Sequence, residues 1–192
     1  MPAPHEVVRG GSRINVGYEP RSSPAAAEPL GTTNMGYTGR ILVARSPRPL
    51  SELAAVEADA VLHETTARGD WRSARLDGDL SEAAETLVAE TGAPALTAFI
   101  LDSDIADVEA LTPAGVAWHV YLHEATARGY GAPELPHTVD EVTGLALAWS
   151  AEAGLTADPA AVRTALGAKN VFAEETFDEL LVALGVSDSP AE

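Results

Sequence analysis

Two histidines and a glutamate in the segment HVYLHE come nearest to a metal-binding pattern in this sequence. His119 and His123 stand four residues apart, and Glu124 follows directly. On a helix this spacing would bring both imidazoles to one face, where they could bind one zinc ion. Residues 116–122 are rich in β-branched and aromatic side chains, however, and so predict a strand, on which the histidines lie about 13 Å apart. We therefore expect both histidines on one polar face of a sheet, with no metal or other cofactor.

Two aspartates, Asp102 and Asp104, follow the apolar segment Pro94–Leu101, which predicts a central strand. Carboxylates just beyond the end of a strand are a common place for a magnesium ion. The Asp-Ser-Asp spacing resembles the Asp-x-Asp motif of haloacid-dehalogenase-type phosphotransferases, and the resemblance implies that Asp102 is the nucleophile and Asp104 the acid. Ala106 stands where that family has threonine or valine. The alternative interpretation is that both aspartates cap and turn a loop.

Other catalytic patterns are missing from the sequence. There is no cysteine, which excludes disulfides, thiolate metal sites and cysteine nucleophiles. The chain also has no G-x-S-x-G elbow, no G-x-x-x-x-G-K-[ST] loop and no G-x-G-x-x-G turn. The sequence therefore assembles no catalytic site, and Asp102, Asp104, His119 and His123 are only weak candidates.

Two aromatic residues are candidates for an interaction surface. Trp71 follows Gly69 and Asp70 at the start of a predicted strand, and Tyr130 follows a nearly identical segment later in the chain. The two segments, Leu62–Gly69 and Leu122–Gly129, match at all but one position. An exposed aromatic side chain next to such a turn would serve as an interface anchor. Local reuse and an ancient duplication both remain open as explanations of the similarity.

The charge is strongly negative and unevenly distributed. The formal net charge is −17, yet residues 1–45 carry five arginines against three glutamates, so the whole excess lies in residues 46–192. Such a domain repels nucleic-acid phosphates and anionic lipid and attracts basic partners. We expect a basic protein as partner and neither nucleic acid nor a membrane. With no secretory pattern and no apolar run near 18 residues, a cytoplasmic location is expected.

Composition divides the chain into three parts. Residues 1–38 are rich in Gly, Ser, Pro and Ala without a sustained period, which predicts a flexible N-terminal arm. Residues 39–186 are predicted to form a single domain, and residues 187–192 a frayed tail. Only residues 13–18 of the arm alternate as a strand would, and they would need a partner to receive them.

The predicted elements favour an α+β fold: a small mixed sheet of about five strands that includes an antiparallel hairpin, packed with helices and followed by a helical C-terminal third. The predicted strands are Arg40–Ala44, Trp71–Asp77 at an edge, Pro94–Leu101, Ala106–Leu111 and Val116–His123. Caps and glycine stops predict helices after Ser51, from Asp79 to Gly92, from Thr138 to Gly154, from Asp158 to Gly167, and over Glu174–Leu184.

Three functions follow as hypotheses. The first is a non-enzymatic, acidic, protein-binding module, immunity- or adaptor-like, that acts on a basic protein. The second is a divalent-metal-dependent hydrolase or phosphotransferase that uses Asp102 and Asp104, with His119 or His123 as acid–base. The third is a structural component that assembles through its N-terminal arm. We favour the first because the acidic charge is strong and no catalytic set is assembled.

Overall fold

The computed structural model describes residues 36–56, 60–80 and 82–188. The predicted arm therefore lies outside the described residues, apart from residues 36–38. Two of these residues hydrogen-bond to the turn at 102–103: the N–H of Tyr37 donates to Ser103 Oγ at 2.8 Å, and Thr38 Oγ1 accepts from the N–H of Asp102 at 2.9 Å. Most of the predicted tail, residues 189–192, also lies outside the described residues.

In the part of the chain that the structure describes, six strands form one sheet in the order β2-β3-β1-β4-β5-β6, and every neighbouring pair is antiparallel. The strands are β1 (Gly39–Arg45), β2 (Val61–Thr66), β3 (Trp71–Asp77), β4 (Ala95–Leu101), β5 (Ile105–Leu111) and β6 (Ala117–Leu122). The α+β class and the β5–β6 hairpin are confirmed. The sheet differs from the prediction in having six strands rather than about five and in being antiparallel throughout rather than mixed.

The additional strand comes from a segment where a helix was predicted. Ser51 does not cap a helix; a 3-10 turn covers Leu50–Glu52, and β2 follows at Val61. The carboxylate of Glu64 on β2 accepts the N–H groups of Leu50 and Ser51 at 2.7 and 3.3 Å. These bonds hold the segment against the sheet in place of a helix. Since β2 lies at the edge, β3 is an inner strand, which corrects the edge position predicted for Trp71–Asp77.

Five helices accompany the sheet in the described residues, and the helical C-terminal third is confirmed. They are α1 (Ala83–Thr91), α2 (Glu124–Gly129), α3 (Val139–Glu152), α4 (Pro159–Gly167) and α5 (Ala173–Ala183). The capping box of Thr138 and Glu141 starts α3, and Asp158 caps α4 through the N–H of Ala161 at 2.7 Å. Asp79 was predicted to cap α1, but that helix begins after Glu82, and Asp79 binds Arg40 instead.

The two faces of the sheet are covered by different helices. α3, α4 and α5 pack on the face that carries Ile41 and Val43, which we call the helical face, and Trp149 is fully buried there. α1 and the 3-10 turn pack on the opposite face, the α1 face, where Leu42 and Leu87 are buried. As its continuous apolar sequence predicts, β1 is buried on both sides. None of the described helices has the length and apolar character needed to cross a membrane.

α1 covers only part of its face. It contacts β1, β4 and β5, while α2 and the segment around Leu135 cover the far end of β5 and β6 at Ile105 and Tyr121. Between these two covers lies a strip of sheet with partly exposed polar side chains. The candidate site lies on this uncovered strip of the α1 face.

Candidate functional site

The register of the strands places polar side chains side by side across the α1 face. Thr97 on β4 lies opposite Glu109 on β5, and Glu109 lies opposite His119 on β6. Directly opposite residues of an antiparallel pair share a face. Asp107 is two residues from Glu109 on β5, and Arg40 reaches the same area from β1. We call these five residues the polar strip.

The guanidinium of Arg40 is the positive centre of the polar strip, with its side chain 8% exposed. Its Nε and Nη2 lie 2.8 and 2.7 Å from Oδ1 of Asp79. Its Nη1 donates to Thr97 Oγ1 at 3.1 Å and lies 3.6 Å from Glu109 Oε2, and the group sits 5.7 Å from the centre of the Phe99 ring. A buried cation requires such partners. These contacts also restrain the partly exposed carboxylates of Asp79 and Glu109.

His119 forms an ion pair with Asp107 at the β6 end of the polar strip. Burial alone would lower the pKa of His119, but the hydrogen bond to Asp107 and the charges of Asp107 and Glu109 outweigh burial and raise this pKa. The ring of Tyr121 packs edge-on against the imidazole at 5.4 Å. Burial, followed by the same two carboxylates, also raises the pKa of Tyr121. The raised pKa of His119, which runs against the effect of burial, indicates that this part of the strip has a negative potential.

A cavity of about 440 Å³, which we call the acidic groove, lies between the polar strip and the start of α1. Leu111, Ala117 and Ala84 contribute apolar surface to it. The charged and titratable residues that line it are Glu82, Glu85, Glu109, His119 and His137. A long basic side chain combines an aliphatic stem with a cationic end. The acidic groove matches both parts, since carboxylates form the strong, charge-assisted hydrogen bonds of guanidinium and ammonium groups.

The weak catalytic candidates from the sequence do not converge on one site. His119 lies in the polar strip, whereas His123 ends β6 in a left-handed conformation. The ring of His123 contacts the backbone oxygen of Asp104 at 2.8 Å and Thr176 Oγ1 at 3.0 Å. Tyr130 donates its hydroxyl proton to Asp104 Oδ2 at 2.7 Å. Asp104, His123 and Tyr130 therefore form a cluster of their own that ties α2 and α5 to the β4–β5 turn.

Asp102 belongs to the same turn, where it adopts φ 54° and Ser103 adopts φ 57°. The turn is held by a hydrogen bond donated by the N–H of Tyr37 and one accepted by Thr38 Oγ1, as described above. Ser103 Oγ in turn donates to Glu174 Oε1 at 2.7 Å. Asp102 and Asp104 are both exposed. Within the described ranges, no three His, Asp or Glu side chains come close enough together to hold a metal ion.

The two interface candidates lie in different surroundings. Trp71 is only 4% exposed and packs on Trp149 at 5.7 Å between ring centres, inside the core of the helical face. Tyr130 is half exposed, although its hydroxyl is bound to Asp104. Of the two, Tyr130 offers aromatic surface to solvent, and Trp71 is a core residue.

Sequence reasoning missed the residues that organise the polar strip: Arg40, Asp107 and Glu109. Asp107 and Glu109 alternate with the apolar residues of β5, and that alternation could have shown that they share a face. Nothing in the local sequence shows that Arg40 meets them, because the contact depends on the order of β1, β4 and β5 in the sheet.

Comparisons with models of protein families, with curated proteins and with solved structures found no match to this chain.

Proposed function

We propose that this chain is a non-enzymatic protein-binding module, immunity- or adaptor-like, that binds a basic protein through the acidic groove. The observation that carries the proposal is the combination in one cavity of apolar surface with the carboxylates of Glu82, Glu85 and Glu109. A lysine or arginine side chain of the partner would lay its stem on the apolar surface and its charge between the carboxylates.

Long-range electrostatics support the same partner. A net charge of −17 attracts basic proteins over distances up to the Debye length, about 8 Å at physiological ionic strength. Such steering raises the association rate and favours basic over acidic partners. The groove then supplies the short-range selection that net charge alone does not.

Preorganisation supports the groove as the contact site. Arg40 holds Glu109 within 3.6 Å, and Glu85 lies in the first turn of α1, where a carboxylate is stabilised by the helix dipole. Groups that are fixed before binding lose less conformational freedom when the partner arrives. The groove is thus suited to bind without rearrangement.

The test compares two double variants of equal charge. Glu82→Gln with Glu85→Gln removes two groove carboxylates, and Glu152→Gln with Glu179→Gln removes two exposed carboxylates outside the groove. The probe is a fluorescein-labelled hexa-arginine peptide, with hexa-citrulline as its uncharged counterpart, followed by anisotropy at about 0.01 M and about 0.15 M salt.

We expect the groove variant to bind hexa-arginine between about 2-fold and about 30-fold more weakly than the unmodified chain, because two exposed ion pairs of up to about 1 kcal/mol each are lost. The control variant should lose distinctly less affinity for hexa-arginine, and hexa-citrulline should not bind. Equal losses in the two variants would show that only net charge matters and would refute the groove as the site.

A further inference from the structure

A cavity of about 810 Å³ lies on the helical face, between β2, β3 and α5. We call it the α5 groove. Its floor includes Ile41 of β1 and Arg75 of β3, which are directly opposite in the register. Its α5 wall includes Glu174, Asp178 and Leu181. The acidic groove opens on the other face of the sheet, so the two cavities do not overlap.

Three charged groups in the α5 groove lack the partners that such groups normally have. Among the described residues, the guanidinium of Arg75 forms no ion pair and lies 5.8 Å from the Tyr37 ring. Glu174 Oε1 accepts from Ser103, but its Oε2 is buried with no hydrogen-bond partner. Asp178 has no hydrogen-bond partner within the described ranges. Buried polar atoms are nearly always paired, so Glu174 Oε2 is an exception, and it lies beside two partly exposed charged groups, Arg75 and Asp178, that line the same cavity.

The environment of Asp178 disfavours its charged form. Burial raises the pKa of Asp178 to about 6, and the positive charge of Arg75 only partly opposes this. Charges from Glu174 and Glu175 act in the same direction as burial. A shifted carboxyl group inside a cavity that also holds an unpaired arginine is typical of a ligand site.

The charges of these three groups indicate which kind of ligand would fit the α5 groove. Arg75 presents the planar fork that binds a carboxylate through two hydrogen bonds. Glu174 and Asp178 line the same cavity with carboxylates, which accept hydrogen bonds from the N–H groups of an ammonium. A simple anion would bring negative charge to two carboxylates, and a simple cation would leave Arg75 unpaired. We propose that the α5 groove binds a small zwitterion of the amino-acid class, with its carboxylate on Arg75, its ammonium on Glu174 and Asp178, and its side chain against Ile41 and Leu181.

The experiment titrates the full chain with each of the twenty protein amino acids by isothermal calorimetry. The ligand that binds is then compared with its decarboxylated amine and its deaminated acid. The variants are Arg75→Gln and Glu174→Gln, and the controls are Arg163→Gln and Glu152→Gln, whose residues lie outside the groove.

We expect one or more amino acids to bind and each half-ligand to bind at least about tenfold more weakly. Arg75→Gln and Glu174→Gln should each weaken binding by about ten- to a hundredfold, because each removes hydrogen bonds to a charged group, and the controls should bind as the unmodified chain does. If Arg75→Gln does not fold, Arg75→Lys keeps the charge without the fork and should still weaken binding. Binding by none of the twenty, or binding that these variants leave unchanged, would overturn the proposal while leaving the acidic groove untouched.

Discussion

Arg40 shows how one residue can organise a surface. Its side chain is buried while both of its carboxylate partners, Asp79 and Glu109, remain about half exposed. The arginine therefore acts as a support under the polar strip, and the carboxylates keep their outer lone pairs for solvent or a partner. A lysine could not replace it, because a single ammonium lacks the several directed N–H groups that reach Asp79 and Thr97 at once.

Asp178 provides a prediction at the scale of a single residue. Its pKa is about 6 in the folded chain against 3.8 as the ordinary value. Between these pH values the folded state holds a proton that the unfolded state has released, so the free energy of unfolding falls as pH rises through this window. Asn does not ionise, so Asp178→Asn removes this pH-dependent decrease in the free energy of unfolding. We expect Asp178→Asn to raise the free energy of unfolding at pH 7 by on the order of 1–2 kcal/mol after allowance for solvent screening.

The measurement is urea unfolding of the unmodified chain and the variant across pH. The gain should shrink as pH falls through about 5 and vanish near about 3.5, where the aspartate is protonated in both states. Asp140→Asn, on an exposed side chain that pairs with Arg163, serves as the control and should not show this gain. A variant that is less stable at pH 7 would show that Asp178 makes favourable contacts as a carboxylate.

At the scale of elements, two carboxylates from distant positions hold the segment between β1 and β2. Glu64 accepts from the backbone of Leu50 and Ser51, and Glu90 of α1 accepts the N–H groups of Ala54 and Ala55 at 3.0 and 2.8 Å. Each bond gives an acceptor to a backbone donor of a segment that has little regular secondary structure. The segment thus has a defined path without regular secondary structure.

Glu64 is the basis of a prediction for this element. Glu64→Ala should lower the free energy of unfolding by about 1–3 kcal/mol, because it leaves backbone donors of Leu50 and Ser51 without their acceptor. Urea unfolding at pH 7 measures the change, and Glu52→Ala, on an exposed side chain of the same segment, should change it by less than about 0.5 kcal/mol. Similar effects of the two substitutions would contradict the role assigned to Glu64.

The elements that sequence predicted correctly are those with local signals. Thr138 and Glu141 lie three residues apart, as do Asp158 and Ala161, so their caps are visible in a short window. The contact of Glu64 with Leu50 spans fourteen residues, and the helix predicted after Ser51 failed because that contact is not local. The polar strip was not predicted for the same reason: Arg40 and Glu109 are distant in sequence and are brought together only by the order of the strands in the sheet.

The near-identical segments Leu62–Gly69 and Leu122–Gly129 show how strongly the surrounding structure determines the conformation of a segment. The first forms most of the edge strand β2, whereas the second leaves the end of β6 and turns into α2. Residues 63–66 pair with β3, and the residues after His123 instead follow its left-handed backbone into a helical turn. Seven shared residues of eight therefore do not specify one conformation here.

At the scale of the whole molecule, the excess negative charge opposes the folded state. Carboxylates that are dispersed in the unfolded chain are brought together on folding, and their repulsion destabilises a protein whose net charge is −17 at pH 7. Ion pairs such as Arg163 with Asp140 are exposed and contribute little against this.

We therefore expect added salt to stabilise the chain. Raising ionic strength from about 0.01 M to about 0.15 M should increase the midpoint of thermal unfolding at pH 7, because the repulsion is screened. The increase should disappear near pH 4.5, the isoelectric point. Calorimetry in sodium chloride at the two pH values measures both effects. A lower midpoint at higher salt and pH 7 would show that ion pairs outweigh the repulsion.

β1 runs through the middle of the sheet, and its consecutive residues Arg40 and Ile41 point to opposite sides. One supports the carboxylates of the polar strip, and the other forms part of the floor of the α5 groove. Sliding this strand by a single position would exchange the two side chains, put a cation into the helical core and strip the polar strip of its support. A single insertion or deletion that shifts β1 by one position would therefore damage both surfaces together.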